Sequence, residues 1–132
     1  GDKYEGHYNG DLKSGYGYGI ETHPNGSKYE GYYKDGLRSG YGVETYANGT
    51  KYLGDYKFDV FNGQGTMLYA NGDKYEGHYK NGLRNGYGIE TYVNGDKYEG
   101  HYKDGLRSGY GVETYVNGTS KEGQYYQGKF VK

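Results

Sequence analysis

The chain has 132 residues, of which 28 are glycine and 22 tyrosine, with one proline and neither cysteine nor tryptophan. Only 32% of residues are hydrophobic, against roughly 45–50% in an ordinary globular domain, which excludes a thick aliphatic core. The net charge of −1, with both signs spread along the chain, gives no global reason to expect nucleic-acid or membrane binding, and zero cysteines exclude disulfides and thiolate metal sites. Tyrosine must therefore supply most of the buried apolar area, at about 150–250 Å² per ring. No apolar run approaches the ~18–20 residues that a spanning helix needs. Gly1 stands where an initiator methionine would, so the sequence reads as a piece of a longer chain.

Taken in chain order, the sequence repeats. A first block opens at Tyr4, and a second at Tyr29, 25 residues on, with Tyr18-Gly19 read as an insertion. Blocks opening at Tyr52, Tyr75 and Tyr98 follow at a period of 23. A partial sixth begins at Lys121, where tyrosine is missing. This predicts one repeat domain over 1–132, with repeats at about 2–26, 27–49, 50–72, 73–95 and 96–118 and a remainder at 119–132.

Each block carries two strand signals and two turn signals. In Lys74–Lys80, Tyr75, Gly77 and Tyr79 alternate with Glu76, His78 and Lys80, the period of a strand. Tyr87–Val93 is a second run of β-formers. Asn-Gly closes each repeat, as at Asn94-Gly95, and predicts a type I′ turn with positive φ at both residues. The stretch Asn81–Gly86 predicts a longer glycine-containing loop. The expectation is an all-β, elongated and twisted antiparallel meander without helices, of roughly eleven strands at ~4.8 Å spacing. Glycine between the tyrosines leaves room for rings to tilt over the backbone. On that reading Tyr4, Tyr8, Tyr29, Tyr33, Tyr52, Tyr56, Tyr75, Tyr79, Tyr98 and Tyr102 are framework aromatics.

The run Tyr75–Lys97, YEGHYKNGLRNGYGIETYVNGDK, resembles the MORN (membrane occupation and recognition nexus) repeat: aromatic-E-G-x-aromatic, then x-G-x-x-x-G-x-G, then a closing D/N-G. The resemblance covers nearly the whole chain. It implies a single-layer, groove-bearing rod of tandem hairpins that is non-catalytic. It also implies roles in protein binding, phospholipid binding or self-association, in a cytoplasmic, cytoskeletal or membrane-associated setting. No cofactor is implied.

Candidate sites are few, because a unique site needs a break in the repeat. His7, His78 and His101 share one slot, but equivalent slots lie two strands apart, roughly 9–10 Å, too far to share a metal. No recurring Ser/His/Asp set or phosphate-binding loop is legible, so neither an enzyme nor a metal site is expected. Lys13, Arg38, Arg84 and Arg107 recur at one position and predict a cationic edge; a solvated edge is the simpler reading, and docking of acidic phospholipid the functional one. Repeat 3 departs in a directed way, with Phe58, Val60, Phe61, Met67 and Leu68 forming an apolar cluster. It reads as a partner site or as a local satellite core. A protein-binding scaffold, pairing with itself through its end strands, is the leading reading. Acidic-lipid binding is the alternative, and a glycan-binding array a lesser one.

Overall fold

The computed structural model describes the backbone of residues 3–9 and 16–132, and side chains from residue 17 onward. Among the described residues, twelve strands follow one another in a single antiparallel sheet, each paired with its neighbours in sequence. They are β1 (Lys3–Asn9), β2 (Tyr16–Thr22), β3 (Lys28–Lys34), β4 (Leu37–Thr45), β5 (Lys51–Lys57), β6 (Val60–Leu68), β7 (Lys74–Lys80), β8 (Leu83–Thr91), β9 (Lys97–Lys103), β10 (Leu106–Thr114), β11 (Ser120–Tyr126) and β12 (Lys129–Phe130). Among the described residues there is no helix. The twelfth strand, beyond the eleven expected, has only two residues.

The two kinds of turn exchange places relative to the expectation. The tight two-residue turns lie inside the repeats from the second onward, at Asp35-Gly36, Phe58-Asp59, Asn81-Gly82, Asp104-Gly105 and Gln127-Gly128, where both residues have positive φ. This is the geometry whose twist matches flanking strands. The Asn-Gly pairs instead join one repeat to the next through three-residue loops. In the loop Ala47-Asn48-Gly49, the Gly49 N–H donates to the Tyr46 carbonyl at 2.9 Å and the Tyr46 N–H to the Thr50 carbonyl at 2.8 Å. Only the glycine has positive φ there, as in a type I turn completed by a bulge. Asparagine acts there through its side chain, since Asn48 Oδ1 accepts the Thr50 N–H at 2.9 Å. That bond, and not a left-handed backbone, explains the choice of residue. The stretch from Leu83 to Gly86, expected as loop, is strand β8, with a bulge between Arg84 and Gly88 and Gly86 at φ 91°.

The two extra residues of the first repeat also fall elsewhere. Gly19 pairs with Gly6 and with Gly31, so Tyr18-Gly19 is the counterpart of Tyr41-Gly42 and the addition lies ahead of Gly17.

The core is one-sided. Tyr29, Tyr52, Tyr75 and Tyr98 are fully buried, and Tyr33, Tyr56, Tyr79, Tyr102 and Tyr125 nearly so. Tyr4 and Tyr8 lie outside the residues whose side chains are described. Each fully buried ring lies across a rung made of two paired glycines. A Cβ on Gly77 would meet the Tyr75 hydroxyl at 2.7 Å, and one on Gly88 would meet its Cε1 at 2.5 Å. The hydroxyls then donate to the backbone: Tyr75 to the His78 carbonyl at 3.0 Å, Tyr52 to the Asp55 carbonyl at 2.8 Å.

The turn at Phe58-Asp59 puts two non-glycine residues in the left-handed region, at φ 48° and 74°. Such a conformation costs roughly 1–2 kcal/mol for a bulky side chain. Replacing the pair with the sequence of the next repeat, Phe58→Asn with Asp59→Gly, is expected to stabilise the fold by about 1 kcal/mol. The gain is reduced by loss of the Arg38 N–H bond to Asp59 Oδ1 at 3.0 Å. Urea unfolding midpoints check this; a lower midpoint in the double variant would contradict it.

Candidate functional site

The sheet has two faces of different chemistry. On the tyrosine face, rings interlock edge to face along the array. Tyr29 meets Tyr33 in its own repeat and Tyr56 in the next, both at 5.2 Å; Tyr75 likewise meets Tyr79 and Tyr102 at 5.3 Å. Each such contact contributes about 0.5–1.5 kcal/mol beyond area burial. Except after repeat 3, the second tyrosine of a repeat donates its hydroxyl to a glutamate of the repeat before: Tyr56 to Glu44 at 2.7 Å, Tyr102 to Glu90 at 2.8 Å.

Arg38, Arg84 and Arg107 lie on this face. Their guanidinium groups sit 4.8, 4.2 and 4.1 Å from the ring centres of Tyr29, Tyr75 and Tyr98. Arg84 pairs with Glu90 at 3.2 Å and donates to the Tyr69 hydroxyl at 2.6 Å; Arg107 pairs with Glu113 at 3.2 Å and donates to the Tyr92 hydroxyl at 2.6 Å. These side chains are only 16–18% exposed, so the solvated edge expected of them is not what the fold makes. The arginines are structural staples whose charge is met within the sheet. Burial opposes the charged form of Arg84, and Glu90 with Tyr69 more than offsets it. Burial in the same environment pushes the Tyr75 hydroxyl up to about 12. Lys13 lies outside the described residues.

Repeat 3 rewrites this network with apolar parts. Phe61 takes the arginine position and stacks on Tyr52 at 3.9 Å and 23°. Met67 takes the glutamate position and is buried. The expected apolar cluster therefore divides. Phe61 and Met67 belong to the core of the tyrosine face. Phe58, Val60 and Leu68 are exposed, at 71%, 41% and 39%.

The opposite face is uncovered. Tyr18, Tyr41, Tyr87 and Tyr110 form a row of exposed rings on alternate strands, with Gln64 in the third place. Leu37, Val60, Leu83 and Leu106 form a second exposed row beside the tight turns. Glutamates of the following repeat accept from the tyrosine row, as Glu122 does from Tyr110 at 2.6 Å and Glu99 from Tyr87 at 3.3 Å. Lys97 holds Glu99 at 2.7 Å. Here His101 packs against the Tyr87 ring at 6.0 Å, and His78 Nε2 lies 2.8 Å from the Gln64 amide. The exposed tyrosine row escapes a reading in which tyrosine is counted as framework. The pleat carries the missing signal: Tyr87 is flanked by Gly86 and Gly88, and its parity opposes that of Gly88, which lies under the Tyr75 ring.

The exchange of an ion pair for an apolar pair yields a quantitative expectation. Phe61→Arg alone places a guanidinium beside Met67, and Met67→Glu alone buries a carboxylate beside Phe61. Each should cost about 2–4 kcal/mol, whereas the double variant rebuilds the network of repeats 2, 4 and 5. A double-mutant cycle should return a favourable coupling of about 1–3 kcal/mol. Additive losses would contradict the assignment.

Comparison with known families matches the MORN repeat five times in succession, over residues 4–28, 29–51, 52–74, 75–97 and 98–120. Comparison with curated protein sequences finds no match. The five matched segments take in most of the chain, and the last four share the paired glycine rungs under tyrosine described above: this chain belongs to the MORN repeat family.

Proposed function

We propose that the chain is a non-catalytic docking scaffold that holds protein partners on the face opposite the tyrosine core. MORN repeats are tandem modules generally involved in protein or membrane interactions, and fold alone does not choose between the two. The observation that carries the protein reading is the division of labour between the faces. The tyrosine face commits its rings, arginines and glutamates to one another. The opposite face leaves Tyr41, Tyr87, Tyr110, Leu83 and Leu106 about half exposed, in rows at the repeat spacing of roughly 9–10 Å. Exposed aromatic and aliphatic rows bordered by charge suit a protein surface. The lipid reading loses three of its four named anchors, since Arg38, Arg84 and Arg107 are engaged within the sheet. Self-pairing through the end strands is a further use of such an array, read out by mass in solution.

Random peptides selected against the folded chain, with footprints mapped by amide hydrogen exchange, test the reading. Enriched peptides should protect strands through the opposite face, and vesicle pelleting should be equal with and without phosphatidylserine. No enriched peptide together with pelleting that depends on phosphatidylserine would favour the lipid alternative instead.

A further inference from the structure

Repeat 3 breaks the pattern on the opposite face too, and the sheet gathers those breaks into one place. Leu53 stands where the repeats on either side carry Glu30 and Glu76, and Asp55 where they carry Tyr32 and His78. Gln64 replaces the tyrosine of Tyr41 and Tyr87, Thr66 the branched residue of Val43 and Ile89, and Leu68 the threonine of Thr45 and Thr91. Strand pairing sets Leu53 against Thr66, with Tyr41 against Asp55 and Thr66 against Glu76 on the flanking strands. All five altered residues, with Tyr41, Lys74 and Glu76, line a single open cleft of about 490 Å³. That volume lies within the ~300–1,000 Å³ range of ligand pockets.

Each change has a local consequence. Elsewhere the tyrosine of this row donates to a glutamate twelve residues on: Tyr18 to Glu30, Tyr87 to Glu99, Tyr110 to Glu122. Leu53 removes the acceptor for Tyr41, whose hydroxyl makes no hydrogen bond among the described residues. Gln64 removes the ring that would cover Glu76. Glu76 is exposed and Gly77 partly exposed, as are Glu122 and Gly123 near the last strand, whereas Gly31, Gly54 and Gly100 are buried. Glu76 keeps Lys74 at 2.9 Å. Asp55 accepts the Gln64 N–H at 3.2 Å and has no cationic partner among the described residues. The cleft thus combines two leucine walls, an unused phenol donor and an unpaired carboxylate.

Resting on the docking role proposed above, we propose that this cleft is the specificity site of the array. Its occupant is an extended protein segment that presents an aliphatic or aromatic side chain next to a lysine or arginine. The apolar side chain fills the space between Leu53 and Leu68. The cation meets Asp55, and a backbone carbonyl of the segment accepts from Tyr41. Charge complementarity chooses a basic segment over an acidic one, because Asp55 occupies a slot that is Tyr32, His78, His101 or Gln124 elsewhere.

The test uses peptides selected from a random library against the native chain. Their affinities are then measured on three variants by fluorescence anisotropy. The first variant restores the repeat pattern with Leu53→Glu, Asp55→His, Gln64→Tyr, Thr66→Val and Leu68→Thr. Every replacement is the residue that repeat 5 carries, so the fold is preserved. The second is Asp55→Lys alone, and the third is Val116→Ser, an exposed residue of the last inter-repeat loop, away from the cleft. Selected peptides should share an apolar residue beside a basic one. They should bind the first two variants about tenfold or more weakly and the third unchanged. Peptides that bind the restored variant as well as the native chain would overturn the cleft and leave the docking role standing. Acidic peptides indifferent to Asp55→Lys would overturn the charge assignment. Enrichment of no peptide at all would remove both proposals.

Discussion

The structure depends on a tyrosine ring lying across a pair of facing glycines. A single-layer sheet has no second layer to bury its side chains, so apolar area must be hidden along the sheet itself. Glycine on both strands of a rung brings the ring down onto the backbone, and the hydroxyl reaches a carbonyl three residues on in its own strand. The ring's flanks then meet tyrosines of the same and the following repeat. A 32% hydrophobic composition thereby yields fully buried side chains without a conventional core. The interaction is local in sequence and repeated in space, which makes stability a property of neighbouring pairs of repeats.

That arrangement accounts for the distribution of charge. In repeats 2, 4 and 5 arginine caps the buried ring and glutamate satisfies both the arginine and the next tyrosine hydroxyl, so the exposed side of the ring is closed by a planar cation. Repeat 3 closes the same ring with Phe61 and Met67. The two solutions occupy the same positions and preserve the ring underneath. Uniform staples give rigidity and spacing but no address. An address requires departures from uniformity on the face not committed to the fold, and Leu53, Asp55, Gln64, Thr66 and Leu68 supply them there.

Much of this is legible in the sequence. Period and strand alternation assign the hairpins and the tyrosine–glycine face, since a period-two pattern with glycine between rings has few other uses. The turns lie in other places than expected because Asn-Gly serves two geometries, and only the hydrogen bonds at Gly49 and Thr50 distinguish them. Arg84 is no edge cation because the glycine-rich stretch around it is a bulged strand and not a loop; the bulge returns its side chain to the tyrosine face. Phe61 and Leu68 are near in sequence, yet they lie on opposite faces of β6, one stacked on Tyr52 and the other lining the cleft. Gln64 carries no signal of its own, because a polar residue in a polar sequence attracts no notice until its neighbours' tyrosines are seen to form a row.

If the paired glycines exist to seat the buried rings, adding a methyl group there must cost more than adding one at a strained but open turn. Equilibrium unfolding of Gly88→Ala beside Gly118→Ala measures the difference. A Cβ at Gly88 would lie 2.5 Å from the Tyr75 ring, whereas Gly118 has positive φ and open space around it. The expected loss is about 2–3 kcal/mol or more at Gly88, against about 1 kcal/mol at Gly118 from backbone strain alone. Equal losses at the two sites, or a smaller loss at Gly88, would contradict the role given to the glycine rungs.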